Sequence, residues 1–448
     1  MRDCTHNGPV AIQEGVGSIT DNDNALGGHF TGGHPELFGK GSEVKSENCL
    51  VLDVVTPGLK GKRPVVVYIH GGGFATGSGT LVLGSDQWAR EEDIVVVGIN
   101  HRLNVFGYLY LGGLDPMYES SGMAGMLDLV QALEWVRDNI SAFGGDPSQV
   151  TIMGESGGGM KVSTLLAMDK AHGLFSKAIV ESGSNVVGAF SKERAEAETL
   201  KLLAKLGIEP KDWKALLELP ADQILSASAG INLSPVADGI NLNYQEGLKI
   251  KSFDISKDIP LLVGASADEM GVFMPVTQMG ITEESLPQTV ATMMQMPQDK
   301  AERVVKAFKS INTKGDAPWH TFIKIVSLGS FLGGGAFNQA MAKAEQGGAP
   351  VYHYMVEYDS PGIILPDQTC AWHTADLPLQ MRIVLHPAQE ELSRQMAHAW
   401  AAFIRTGNPS TKDLPWPAFT ADSRQVMVFD NETRVETDPY APIRSVLE

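Results

Sequence analysis

Between residues 50 and 182 the chain alternates short apolar runs with longer stretches of helical periodicity. The runs lie at 50–55, 64–70, 94–99 and 150–153, and the clearest helical stretch is 124–142. Runs this short, rich in valine and isoleucine, are strands buried on both faces, as in a parallel sheet covered by helices. In the helical stretch Leu127, Val130, Leu133, Trp135 and Val136 gather largely on one side, with Asp128, Glu134 and Asp138 mostly elsewhere. That spacing predicts a helix lying on the sheet. Strands resume at 259–264 and 351–358. Two helical blocks interrupt them: 191–229, where Leu200, Leu203, Leu206, Leu216 and Leu217 supply the apolar face, and 284–310. There is no long Ser, Gly or Pro linker and no internal repeat. The expected architecture is one α/β domain over 1–448, with helical cap insertions at about 190–235 and 275–345.

Composition narrows the partners. Hydrophobic residues make up 43% of the 448 positions, and no window holds about eighteen uninterrupted apolar residues, so no membrane span is expected. Fifty-three acidic residues against 35 basic ones give a net charge of −18, with no lysine and arginine cluster that would track a phosphate backbone. Nucleic acid and anionic lipid are therefore not expected partners. Cys4, Cys49 and Cys370 are sparse, odd in number and without metal-ligand spacing. Residues 1–7 have no apolar core for a secretory signal, and the expected location is cytoplasmic.

The chemistry concentrates at Gly154-Glu155-Ser156-Gly157-Gly158, directly after the apolar run 150–153. A strand that reverses into a helix within a few residues strains its central residue, and flanking glycines give the necessary room. The serine hydroxyl is then left at the tip, where the first turn of the following helix aims its free N–H groups. Alone, the pentapeptide is also an ordinary glycine turn; its context decides. About 85 residues earlier, the strand 64–70 ends in His70-Gly71-Gly72-Gly73-Phe74, whose main-chain N–H groups can approach a ligand with no side chain in the way.

With these motifs, several further segments make the chain resemble the type-B carboxylesterase family, the cholinesterase-like branch of the α/β-hydrolases. Ser46-Glu47-Asn48-Cys49-Leu50 is similar to the family's S-E-D-C-L, Asn100-His101-Arg102-Leu103 to its N-Y-R-L, and Phe143-Gly144-Gly145-Asp146-Pro147 to its F-G-G-D-P. Gly407-Asn408-Pro409 and Trp416-Pro417 extend the likeness, which covers roughly residues 46–430. It implies an α/β-hydrolase fold and a triad in the chain order serine, acid, histidine. Ala265-Ser266-Ala267-Asp268-Glu269-Met270-Gly271 resembles the family's D-E-G segment with one methionine inserted. Glu269 takes the acid position, with Asp268 as the alternative. Ala371-Trp372-His373-Thr374-Ala375-Asp376-Leu377-Pro378 resembles H-G-x-E-L-P, which makes His373 the base among eleven histidines.

The resemblance thus implies a serine carboxylesterase: Ser156 attacks an ester carbonyl, His373 takes its proton and Glu269 holds the imidazole. Gly72, Gly73 and Gly157 would donate N–H groups to the oxyanion, and glycine in place of alanine at Gly157 is expected to leave catalysis intact. Glu155 and Ser182 match positions that buttress the triad, although ordinary polar capping would account for both. Phe74, Trp372, Met270 and Met274 are candidates to line the pocket, with core packing as the alternative. The partner is a small-molecule ester, and no cofactor or metal is required. Amide, carbamate or lactone bonds are alternative targets of the same triad, and a non-catalytic interaction protein is the remote alternative. Two departures stand out: the family's G-I-P-Y-A-x-P-P stretch does not precede Ser46, and Cys4 with Cys49 matches a family cysteine pair that a cytoplasmic setting disfavours.

Overall fold

Valine and isoleucine alternate sides along the strands and bury both, so each strand feeds two cores. A computed structural model of the chain describes residues 7–13, 44–184, 189–243, 254–274, 276–312, 316–365 and 368–447. Its strands are Leu52–Val55 (β1), Arg63–Ile69 (β2), Val95–Ile99 (β3), Gly145–Glu155 (β4), Lys177–Glu181 (β5), Leu261–Ser266 (β6), Val351–Val356 (β7), Ser360–Leu365 (β8), Gln368–Cys370 (β9), Gln425–Phe429 (β10) and Arg434–Thr437 (β11). Nine of them form one sheet in the order β1-β3-β2-β4-β5-β6-β7-β10-β11. Only the edge strands β1 and β11 run antiparallel to their neighbours. β8 and β9 make a separate hairpin.

The alternation is plain in β2. Val65, Val67 and Ile69 join the core beneath Ala124–Asn139 (α1) and Gly157–Leu165 (α2). Val66 and Tyr68 face the opposite core, built on Trp88, Trp400, Phe403 and Phe429. The chain passes from β2 outward to β3 and then returns to β4 on the other side of β2. A crevice opens at the carboxyl ends of the strands where the order reverses, and ligands bind there in open α/β sheets.

The helical block after residue 190 forms Lys192–Leu206 (α3) and two shorter helical segments. Its seam differs from the expected one. Leu202, Leu203, Trp213 and Leu216 are buried, whereas Leu200 is 38% and Leu217 52% exposed. The stripe follows Ala195, Thr199, Leu202 and Leu203, a spacing that turns Leu200 outward. The 284–310 block is two helices, Leu286–Met293 (α4) and Gln298–Ile311 (α5), because Pro297 caps the second and cannot sit within a continuous one. Pro318–Gly329 (α6), Gly333–Gln346 (α7) and Glu390–Thr406 (α8) complete the packing that matters for the site.

Asp128, expected away from the buried side of α1, is buried. It accepts hydrogen bonds from the Arg102 backbone N–H at 3.0 Å, Nε at 2.8 Å and Nη2 at 2.7 Å. That fork supplies the donors a buried carboxylate needs. Cys49 and Cys370 carry buried free thiols; Cys4, His6, His29 and His34 lie outside the described residues. No helix among the described residues is long and apolar enough to cross a membrane. Truncating the clamp with Asp128→Ala is expected to lower unfolding stability by about 2 kcal/mol, since three charge-assisted donors lose their acceptor. A urea titration reads this as a lower midpoint; an unchanged midpoint would show that the clamp is idle.

Candidate active site

The carboxyl ends of four adjacent parallel strands deliver most of the site. β2 leads into the glycine loop, β4 into Ser156, β5 into Ser182 and β6 into Glu269. His373 arrives from the loop after β9. Ser156 has φ 56° and ψ −124°, a conformation that side chains resist. Its N–H donates to Glu181 O at 2.8 Å, and its carbonyl accepts from Met160 N at 3.0 Å in the first turn of α2. A Cβ on Gly158 would lie 2.0 Å from Ile69 O, and one on Gly154 2.4 Å from the Gly158 backbone. The glycines are therefore required by the close approach of β2, β4 and α2. Ser156 is partly exposed between the buried Glu155 and Gly157.

Of the two adjacent acids, Glu269 is the one that faces the histidine. Its Oε2 meets His373 Nδ1, while Oε1 accepts from the Ser182 hydroxyl and from Ser266 N at 2.7 Å. Asp268 points elsewhere: its Oδ2 accepts from Ala371 N at 2.8 Å and lies 3.0 Å from His320 Nε2. The turn after β6 sends the neighbours in different directions. Ser182, left with ordinary capping as an alternative from sequence, has its hydroxyl on Glu269. His70 Nδ1 lies 2.9 Å from Gly71 O, beside the loop it precedes. His353 is buried against Val263 O at 2.9 Å, and the exposed His398 pairs with Glu92.

Electrostatically, the imidazole sits between two carboxyl groups, because Glu155 Oε1 is 3.3 Å from His373 Nε2. Burial alone would depress the histidine, but Glu155 and then Glu269 outweigh it and raise the imidazole to about 9. Burial pushes the Glu155 carboxyl well above the usual range, with the His373 charge opposing. The two tendencies compete for one proton. With His373 at zero exposure and Glu155 at 2%, the two titrate as one coupled pair.

Sequence reasoning missed the acids beneath this pair. Asp376 Oδ2 accepts from Tyr354 OH at 2.7 Å, and burial followed by Glu269 pushes its carboxyl up to about 6. Glu181, raised well above the usual range by burial and by Asp376, accepts from Trp400 Nε1 at 2.7 Å and Gln380 Nε2 at 2.9 Å. Asp376 stands three residues after His373 in the segment already singled out, and Glu181 adjoins Ser182; those were the available signals. Of the pocket-lining candidates, Phe74 is buried at 9% exposure, Met270 and Met274 pack on the cluster of Val276, Leu286 and Phe322, and Trp372, 1% exposed, lines a small cavity with Leu81, Leu377 and Met381. The aromatic ring near the histidine is instead Phe273, 42% exposed, with its centroid 5.3 Å from that of His373.

The glycine at 157 is set by close packing. A Cβ there would lie 2.4 Å from Gly73 N and 2.3 Å from Gly73 O, so the glycine loop occupies the place of an alanine methyl. Gly72 and Gly73 adopt φ 80° and 61°. Among the described residues Asp268, His320 and Asp359 bring metal-ligand atoms within 4.8 Å of one another. The Lys324 ammonium already answers that charge: it contacts Asp316 at 2.9 Å, and Asp268 is foremost among the acids that raise it against the effect of burial.

Fold and site together define an α/β-hydrolase. The chain belongs to the carboxylesterase family, whose profile matches residues 1–443. It is 31% identical over 426 residues to para-nitrobenzyl esterase of Bacillus subtilis, covering 90% of this chain and 83% of the relative. Phenmedipham hydrolase of Pseudarthrobacter oxydans is 30% identical, covering 90% and 82%. A solved carboxylesterase of Geobacillus stearothermophilus superposes with a TM-score of 0.79 at 32% identity, covering 98% of this chain and 88% of that one. The protein is thus a serine carboxylesterase, a hydrolase of carboxylic esters.

Two outcomes are expected of this geometry. Gly157→Ala must push Gly73 aside and should lower kcat by about 10- to 100-fold with little change in fold, because displacements near 1 Å at reacting groups have effects of this order. Kinetics equal to wild type would show that the loop yields freely. Glu155→Gln removes the largest influence raising His373. The acidic limb of kcat/KM, which tracks the neutral imidazole, should move to lower pH by about one unit. A limb that stays in place would mean that Glu155 is already uncharged.

Proposed function

We propose that Ser156, His373 and Glu269 are the triad of this carboxylesterase, working through an acyl-enzyme. His373 Nε2 takes the Ser156 proton as the hydroxyl attacks the ester carbonyl, and returns it to the departing alcohol. Water then attacks the acyl group with the same base. Glu269, held by the Ser182 hydroxyl and Ser266 N, keeps Nδ1 protonated and stabilises the imidazolium. The N–H groups of Gly72, Gly73 and Gly157 receive the oxyanion, each a donor worth about 10²–10³ in rate by analogy with measured deletions.

The observation that carries this reading is the fully buried His373 to Glu269 hydrogen bond, in a site whose serine stands on a strained turn at the carboxyl end of β4. The substrate is a small ester, for which Phe273 beside His373 offers an aromatic wall. The single domain spans the whole chain, with the helices near 190–235 and 275–345 as its cap. Nucleic acid is not a partner, given the net charge of −18. A cytoplasmic setting suits the free thiol of Cys49.

Kinetics on p-nitrophenyl esters of increasing chain length test the assignment. Ser156→Ala and His373→Ala should each lose on the order of 10⁴-fold or more in kcat, and the double variant should lose about as much as either alone, because the two act as a unit. A Ser156→Ala enzyme with near-normal turnover would remove Ser156 as the nucleophile.

A further inference from the structure

Behind the glycine loop lies a buried basic cluster that the triad does not use. Lys161, in the second turn of α2, is wholly buried, and its Nζ donates to the carbonyl of His70 at 3.0 Å. That carbonyl immediately precedes Gly71, Gly72 and Gly73. The ammonium also lies 5.6 Å from the centre of the Phe74 ring, on the far end of the same loop. One side chain therefore touches the loop at both ends. The Lys161 charge acts on His70 and His101, whose rings stack at 4.7 Å, and Tyr108 lies edge-on to His101 at 6.5 Å. Among the described residues no ion pair joins Lys161 to a carboxylate, and burial alone governs its charge.

Burial pulls Lys161 down to about 7, and burial followed by the lysine charge drives His70 down to about 3 and His101 well below its usual value. Both imidazoles are neutral, so any positive charge in the cluster resides on Lys161. An ammonium buried without a counter-ion is unfavourable in the resting enzyme. A methionine would fill the same space without that penalty. The lysine makes physical sense when negative charge arises nearby, as it does in the tetrahedral intermediate, where a preorganised charge acts on the transition state more than on bound substrate.

We propose that Lys161 is a positioning residue for ester hydrolysis: its Nζ clamps the carbonyl of His70, fixes the oxyanion loop and sets a positive charge behind it. The inference rests on Gly72 and Gly73 being oxyanion donors, and it goes beyond that assignment in giving the loop an anchor on the elbow helix. Because the anchor is on α2 itself, the loop and Gly157 are held to one rigid element.

The test compares full-length wild type, Lys161→Met and Lys161→Gln on p-nitrophenyl butyrate, with an alkyl trifluoromethyl ketone as transition-state analogue. Lys161→Met should lower kcat by about 10- to 100-fold while KM stays within about twofold, and should weaken the ketone by the same factor as kcat. Its melting temperature should be unchanged or higher, because an unpaired buried ammonium is gone. Lys161→Gln, which keeps an N–H donor, should recover part of the loss. A Lys161→Met enzyme with kcat within twofold of wild type overturns the proposal, as does a Lys161→Gln enzyme no faster than Lys161→Met. If Lys161→Met does not fold, Lys161→Ala is assayed with added ethylammonium: restored kcat supports the anchor, and no restoration refutes it. Ser156→Ala separates the two levels, since an inactive Ser156→Ala beside a fully active Lys161→Met refutes the anchor and leaves the triad standing.

Discussion

The backbone of Ser156 can hold φ 56° only because four segments close around it without side chains between them. Gly154 and Gly158 let β4 fold back into α2, Gly158 also admits the Ile69 carbonyl of β2, and Gly183 admits the Ser156 carbonyl, which a Cβ there would meet at 2.2 Å. Gly157 in turn admits Gly73. Left-handed backbone at a serine is unfavourable by about 1–3 kcal/mol, and it persists only where surrounding structure over-determines it. Here the parallel pairing of β2, β4 and β5 supplies that determination. The glycine loop, Ser182 and Glu269 are placed relative to this junction, since all leave from the carboxyl ends of the same sheet, and His373, which follows the separate β8-β9 hairpin, joins them through Glu269.

The second constraint is burial of charge. Glu155, Glu181, Glu269, Asp376 and His373 all lie within a region of 2% exposure or less. Such a set is tolerable because its members are satisfied unequally. Glu269 receives three donors, whereas Glu155 has neither a comparable set of donors nor solvent, and burial pushes its carboxyl well above the usual range. Asp376 and Glu181 lean on Tyr354, Trp400 and Gln380. The imidazole is thereby held between one carboxyl group fixed by donors and one that titrates with it, which ties proton affinity to geometry.

Much of this was legible in the sequence. The apolar runs located β2 to β4, β6 and β7 because their apolar stretches are buried on both sides, the half-buried edge strand β1 shares their composition, and glycine spacing located the elbow because nothing larger fits there. The reading stopped where long-range pairing decides. Nothing near Asp128 announces Arg102 as its partner, and nothing near Leu200 says which flank of α3 meets Trp213. The choice between Asp268 and Glu269 depends on a turn whose direction is set by Ala371 and Ser182, 103 and 87 residues away. The roles of Lys161 and Gly157 appear only once the glycine loop is seen lying against α2.

The central claim, that Ser156 is the nucleophile, is tested most directly by covalent capture. The protein is incubated with an organophosphate, its intact mass measured and the modified peptide sequenced by mass spectrometry. A single adduct on Ser156, formed at the rate at which ester hydrolysis is lost, is the result the account predicts. Loss of activity with the adduct on another residue, or an unmodified Ser156 in inactivated enzyme, would contradict it.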